Sequence, residues 1–163
     1  MTSKELQRLQ WLYTTRQRLV RHKAALLNSS AEYRNIGLNA GDSIVLSQTR
    51  LIEHFEKEIE KLKREMDDIV AMSPSISRNQ FLLQSIKGVG KVLSVATIIK
   101  TKNFTRFTNA RKFACFCGTA PFEHTSGTSI RGKTRVSQLA DKTMKSLLDL
   151  SAKTAIQYDK ELR

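Results

Sequence analysis

Proline and glycine are scarce in this chain, at two and seven of 163 residues. A β-sandwich turns every few residues and draws heavily on both, so their scarcity argues against one and for a largely helical, all-α chain. Cysteine is nearly absent too. The only pair, in Phe113-Ala-Cys-Phe-Cys-Gly118, is separated by one residue and has no second Cys or His pair near it. That spacing suits neither a zinc site nor a disulfide framework, and it reads as buried, reduced thiols of a cytosolic protein. No apolar run approaches membrane-spanning length, and the first residues carry no signal-peptide pattern. Acidic residues are few, 15 against 28 Lys and Arg, for a net charge of +13.

That charge is unevenly spread. Residues 1–78 carry 13 basic and 10 acidic side chains, or +3, whereas residues 79–163 carry 15 and 5, or +10. A basic surface kept for solubility gives no reason for such asymmetry; a polyanionic partner, nucleic acid above all, does. Membrane binding by the basic half would want a helix with a basic polar face and an aromatic apolar one. The basic half shows none.

Residues 4 to about 35 predict a long helix, with Leu9, Leu12, Leu19 and Leu26 at coiled-coil spacing and Arg16 and Lys23 interrupting the seam. After the connection Ile36-Gly-Leu-Asn-Ala-Gly-Asp-Ser43, Asp42 or Ser43 can cap a second helix running to about Met72. There Val45, Gln48, Ile52, Phe55, Ile59, Leu62, Met66 and Ile69 alternate by threes and fours, with Glu and Lys outside. Two such helices joined by a short loop predict an antiparallel coiled-coil hairpin over residues 1–73. Its apolar surface is small for independent stability, so pairing with another chain or another domain is expected, and the long seam favours a second copy over an intramolecular bundle. Ser73-Pro-Ser-Ile-Ser77 marks a boundary, and a compact helical domain is expected over residues 78–163.

That domain opens with an apolar helix, then Lys87-Gly88-Val89-Gly90-Lys91, then the apolar run from Val92 to Ile99. Helix, Gly-apolar-Gly, helix is the pattern of a helix-hairpin-helix, although a plain αα-corner uses the same glycines. Tight glycine turns expose backbone N–H groups beside the positive end of the second helix. A DNA phosphate fits there, with Lys87 and Lys91 adding charge; such contacts hold DNA without reading its sequence. The spacing is not that of a nucleotide-binding P-loop. Further on, Thr108 or Asn109 can cap a helix that turns Phe113 and Phe116 inward. Phe104 and Phe107 suit base stacking or, more commonly, core packing.

Residues 118–135 contain Pro121, Gly127 and Gly132 together with Arg131, Lys133 and Arg135, against one acid, Glu123. An irregular loop or short hairpin is expected, presenting hydroxyls beside positive charge. Ser126 is the candidate nucleophile for a phosphodiester, an attack that needs a proton acceptor and cations around the crowded phosphate. His124 is two residues away, and Thr125, Thr128 and Ser129 are rival hydroxyls.

The residues Gly88-Val-Gly90, Phe107, Ala110, Lys112, Gly118-x-Ala120-Pro121, Ser126-Gly127, Lys145, Leu147 and Leu148 resemble the C-terminal domain of the DEDD-type, RNA-guided insertion-sequence transposases, the insertion-sequence one-hundred-and-ten family. The helical hairpin before them is similar to that family's coiled-coil insertion. Where the family has Gly-Asn before its last helix, this chain reads Ala140-Asp141.

The resemblance implies a site-specific DNA recombinase in which Ser126 forms a covalent phosphoserine link to DNA. It also implies a guide RNA, a tetrameric active assembly and magnesium held by an N-terminal RNase-H-like domain. The chain itself offers no cofactor or metal ligands, since its acids flank helix seams. It is therefore expected to be a part of such a protein, inactive alone, cytoplasmic and nucleoid-associated. The competing reading is a non-catalytic, dimeric helix-hairpin-helix DNA-binding module; a purely structural interaction protein leaves the basic half unexplained.

Overall fold

A computed structural model describes residues 4–126 and 130–161, with side chains outside 122–133. The chain divides into two compact units, Met1–Ser73 and Pro74–Arg163. Among the described residues helices make up most of it, as the shortage of proline and glycine leads one to expect, and one two-stranded hairpin is added.

The first unit consists of α1 (Lys4–Asn35) and α2 (Ser43–Met72). They run antiparallel: Arg8 pairs with Glu65, Lys23 with Glu56 and Ser30 with Gln48, one index rising as the other falls. Gly37 (φ 88°) ends α1, and Asp42 opens α2 by accepting a hydrogen bond from the Ile44 N–H at 2.8 Å. Along α2 the eight positions read as a seam are all buried or half-buried, while Glu53, Glu56, Lys57 and Glu60 are exposed. The polar member, Gln48, is satisfied from across the pair. It accepts from the buried Ser30 hydroxyl and donates to Ser29 Oγ at 3.0 Å. Lys23, an apparent interruption of the seam, reaches Glu56 at 2.7 Å.

The second unit begins earlier than the sequence suggests. Ser73 closes α2, but α3 (Pro74–Gln84) starts at once on Pro74, so residues 74–77 are helical and not an irregular break. Proline ends a helix when it falls inside one and opens a helix when it stands first, because the N–H it lacks would have had no partner there. The turn 85–90 leads into α4 (Lys91–Lys100), followed by α5 (Ala110–Cys117), β1 (Phe122–Ser126), β2 (Ile130–Arg135) and α6 (Lys142–Tyr158).

Helix α4 is the centre of this unit. Every residue from Leu93 to Ile99 is buried, and α3 and α6 both pack on it. A helix apolar all round is an interior helix. Each fully buried side chain such as Ile98 contributes about 1.5–3 kcal/mol. Two buried hydroxyls are satisfied by the helix backbone: Ser94 Oγ donates to the Lys91 carbonyl at 2.9 Å, and Thr101, which closes the helix, donates from Oγ1 to the Thr97 carbonyl at 2.7 Å. Helix α5 is capped by Asn109, whose side chain accepts from the Lys112 N–H, and it stops at Gly118 (φ 70°). A Cβ on Gly118 would lie 2.6 Å from Ala140 Cβ, so the glycine also lets the start of α6 approach.

Candidate nucleic-acid interface

The turn between α3 and α4 assigns different tasks to its two glycines. Gly88 takes φ 86°, and a Cβ there would lie 2.4 Å from the Ser151 carbonyl oxygen and 3.0 Å from the Ala155 nitrogen, both backbone atoms of α6. Gly88 is therefore a packing position, closed on one side by α6. Gly90 has nothing within 4 Å of a built Cβ. It sits at the N-cap of α4 in extended backbone, without a side-chain cap, and its carbonyl accepts the Ser94 N–H at 3.0 Å. The positive end of α4 is thus reachable on the Gly90 side of the turn. Val89 is half-buried and bonds back to the Ile86 carbonyl at 3.0 Å. Lys87 forms an ion pair with Asp159, just past α6, at 3.4 Å; Lys91 is exposed. The sequence could not show that Lys87 has an internal anion seventy-two positions away.

Ser126 is the last residue of β1 and stands opposite Ile130, with Thr125 opposite Arg131 and His124 opposite Gly132. The pairing is antiparallel, with an irregularity between Phe122 and His124. Phe122 stands opposite Arg135, so one strand carries Arg131, Lys133 and Arg135 along the strand that carries Ser126. The backbone register thus brings Ser126 within one position of Arg131. Thr128 and Ser129, the rival hydroxyls, lie outside the described residues, as does Gly127. Among the described residues the strands pair with each other and pack on no helix, so hairpin and turn are not brought together by an element contact.

Residues 80–163 match the family model described as Transposase IS116/IS110/IS902 family, a span of more than half the chain. The chain belongs to the IS116/IS110/IS902 transposase family. It is also 26% identical, over 101 residues, to the pilin gene-inverting proteins of Moraxella bovis and Moraxella lacunata. That alignment takes in 62% of this chain and 31% of each relative, so the chain spans about a third of the relatives' length. The family match takes in the turn, the hairpin and α6, and it begins inside α3.

Within this transposase-family region lies a second polar site that the sequence did not announce. Asp141 caps α6 by accepting from the Met144 N–H at 3.0 Å, and its other oxygen meets Lys100 Nζ at 2.7 Å. Burial raises the Asp141 carboxyl, but the Lys100 hydrogen bond and the Met144 N–H outweigh it and leave the group below the usual carboxylate range. The adjacent Cys117 is wholly buried, and burial, with help from the Asp141 charge, pushes its thiol up to about 11. Such a thiol is inert at neutral pH. An Asp just ahead of Lys-Thr-Met is a signal that could have marked the cap; its pairing with Lys100 has no local signal.

Aromatic positions divide similarly. Phe107, Phe113 and Phe116 form one cluster with centroids 5.3–6.5 Å apart, and the Arg106 guanidinium lies 5.0 Å from Phe107 and 4.7 Å from Phe116. Phe107 is thereby committed to packing, whereas Phe104 stays exposed. Among the described residues no three His, Cys, Asp or Glu side chains converge on a point where a metal would bind. Among them too, no helix is long and apolar enough to cross a membrane.

Proposed function

We propose that this chain handles DNA in site-specific recombination and that Ser126 is the nucleophile. The observation carrying this reading is the register of the hairpin inside the family-matched region: Ser126 ends one strand, and the opposing strand carries Arg131, Lys133 and Arg135. Attack by Ser126 Oγ forms a serine–phosphate ester as the phosphorus–oxygen bond to the neighbouring deoxyribose breaks. The serine proton passes to a base and the departing oxygen takes one up. Attack by a strand hydroxyl on that ester rejoins DNA and restores the serine, so no external energy source is needed. The three cations neutralise the phosphate as charge builds on it.

In this reading the α3–α4 turn works as a helix-hairpin-helix. A backbone phosphate docks on the Gly90 side at the uncapped start of α4, with Lys91 nearby. Lys87 adds its charge on exchanging Asp159 for the phosphate. The α1–α2 pair joins copies as a coiled coil, a role supported by the exposed Trp11, Leu27, Ile44, Leu46 and Leu51. A tetramer, a guide RNA and a cytoplasmic, nucleoid-associated setting complete the proposal.

The test is covalent capture. In the recombination-competent assembly, supplied with guide RNA, Mg2+ and end-labelled target DNA, the unaltered protein should carry label through denaturing electrophoresis. Ser126→Ala should carry none while binding DNA as before. Retention of the adduct in that variant would move the nucleophile to Thr125, Thr128 or Ser129. No adduct from the unaltered protein, with DNA binding intact, would favour the non-catalytic DNA-binding module.

A further inference from the structure

Among the described residues three helices end on one backbone device, a left-handed residue whose N–H and that of its successor turn back to the last carbonyls. At the end of α1, Gly37 and Leu38 bond to Arg34 and Tyr33; at the end of α5, Gly118 and Thr119 bond to Cys115 and Ala114. At the end of α4, Lys102 and Asn103 bond to Ile99 at 3.2 Å and Ile98 at 2.8 Å. Glycine occupies the left-handed position in the first two. In the third it is Lys102 (φ 50°), and the left-handed backbone continues through Asn103 (φ 54°) and Phe104 (φ 65°). A side chain is penalised in that region, and three such residues in a row persist only when their surroundings hold them.

The surroundings here do so. The buried Thr101 hydroxyl accepts the Phe104 N–H at 3.0 Å, and the Thr101 carbonyl accepts the Arg106 N–H at 2.9 Å. Asn103 is gripped from α3, accepting from Asn79 at 2.7 Å and donating to Ser75 at 3.4 Å. The result is an aromatic ring that the fold holds outward. Phe104 is 50% exposed, and Lys102 is exposed without an ion-pair partner among the described residues. The stretch of chain around it is basic: residues 74–122 hold eight Lys and Arg and no Asp or Glu, with Lys87 and Lys100 paired to Asp159 and Asp141 from beyond it.

We propose that the Lys102–Phe104 turn is a stacking site for an unpaired DNA base. The face of Phe104 receives the base and Lys102 neutralises the phosphate beside it. An outward ring two residues from an exposed lysine matches the chemistry of single strands, which pair π-faces with phosphates. The inference rests on the DNA-handling reading above and adds to it a contact specific for unpaired strands.

The test uses the 163-residue chain, a single-stranded DNA carrying 2-aminopurine and its full duplex. Wild type and Phe104→Tyr should bind the single strand and alter its fluorescence. Phe104→Leu and Phe104→Gly should lose roughly 5- to 100-fold on the single strand, with duplex affinity unchanged. Phe104→Gly suits the left-handed backbone, so it should melt within ~3 °C of wild type. Undiminished single-strand binding by Phe104→Leu and Phe104→Gly would overturn the site, as would an equal loss on duplex or a stronger effect on RNA of the same sequence. If wild type binds neither form of DNA, the DNA-handling reading fails as well.

Discussion

Alanine at Gly88 and alanine at Gly90 should behave oppositely, although only one residue lies between them. At Gly88 the left-handed backbone penalises a Cβ by about 1–2 kcal/mol. The same Cβ would be driven to 2.4 Å from the Ser151 carbonyl, where no flexible side chain can yield, so α6 itself must slide. Overpacking of that kind costs about 1–3 kcal/mol. Against this stands a gain of about 0.4–1 kcal/mol from stiffening the unfolded chain. The net destabilisation of Gly88→Ala is then roughly 1–4.5 kcal/mol. Gly90 has ordinary φ and open space. Its unfolded-state gain is offset by alanine's poorer N-capping, leaving a change within ~0.5 kcal/mol. Binding should separate the pair the other way. Gly90→Ala puts a methyl where the phosphate approaches α4, and losing one charge-assisted hydrogen bond of ~1.5–3 kcal/mol lowers affinity roughly ten- to hundredfold for every DNA sequence. Urea unfolding and fluorescence anisotropy with unrelated duplexes, at fixed salt, measure both quantities. Wild-type stability in Gly88→Ala would refute the packing account. Wild-type affinity in Gly90→Ala would refute the phosphate dock.

Asp141→Asn keeps the cap on the Met144 N–H and loses the charge opposite Lys100, whereas Asp141→Ala loses both. Expected costs are ~1–2 and ~2–3 kcal/mol, moderated because Lys100 is partly solvated. The folded Asp141 carboxyl lies below its usual range, so its contribution is complete above pH ~4 and is lost as pH falls through the lowered value. Acid titration of stability should accordingly be shallower in Asp141→Asn, and an unchanged slope would count against the ion pair. At pH 7.5 an alkylating reagent should label the half-buried Cys115 first and Cys117 only on unfolding; equal labelling rates in the native protein would contradict the burial.

Much of the architecture was legible because it rests on local rules. The apolar positions of α2 recur by threes and fours, and all eight face inward as periodicity requires. Asp42 and Asn109 cap helices because short polar side chains reach the free N–H groups nearby. The start of α3 was misplaced because Pro74 signals a stop to the helix before it and a start to the helix after it, and the same residue does both. At the candidate site, Ser126 was legible as a hydroxyl among cations. Its strand register with Ile130 and Arg131 was not, since residues 118–135 lack a strong period of their own.

The sequence by itself determined the helical class, the antiparallel pairing of the first two helices and the cationic second unit, all properties of composition and spacing along the chain. Tertiary structure alone decided how otherwise equivalent residues are used. Gly88 is closed by α6 and Gly90 is open; Phe107 is packed and Phe104 turned outward; Lys87 and Lys100 meet Asp159 and Asp141. Each of these depends on what another segment, far away in sequence, brings within a few ångströms, and no local pattern carries that information.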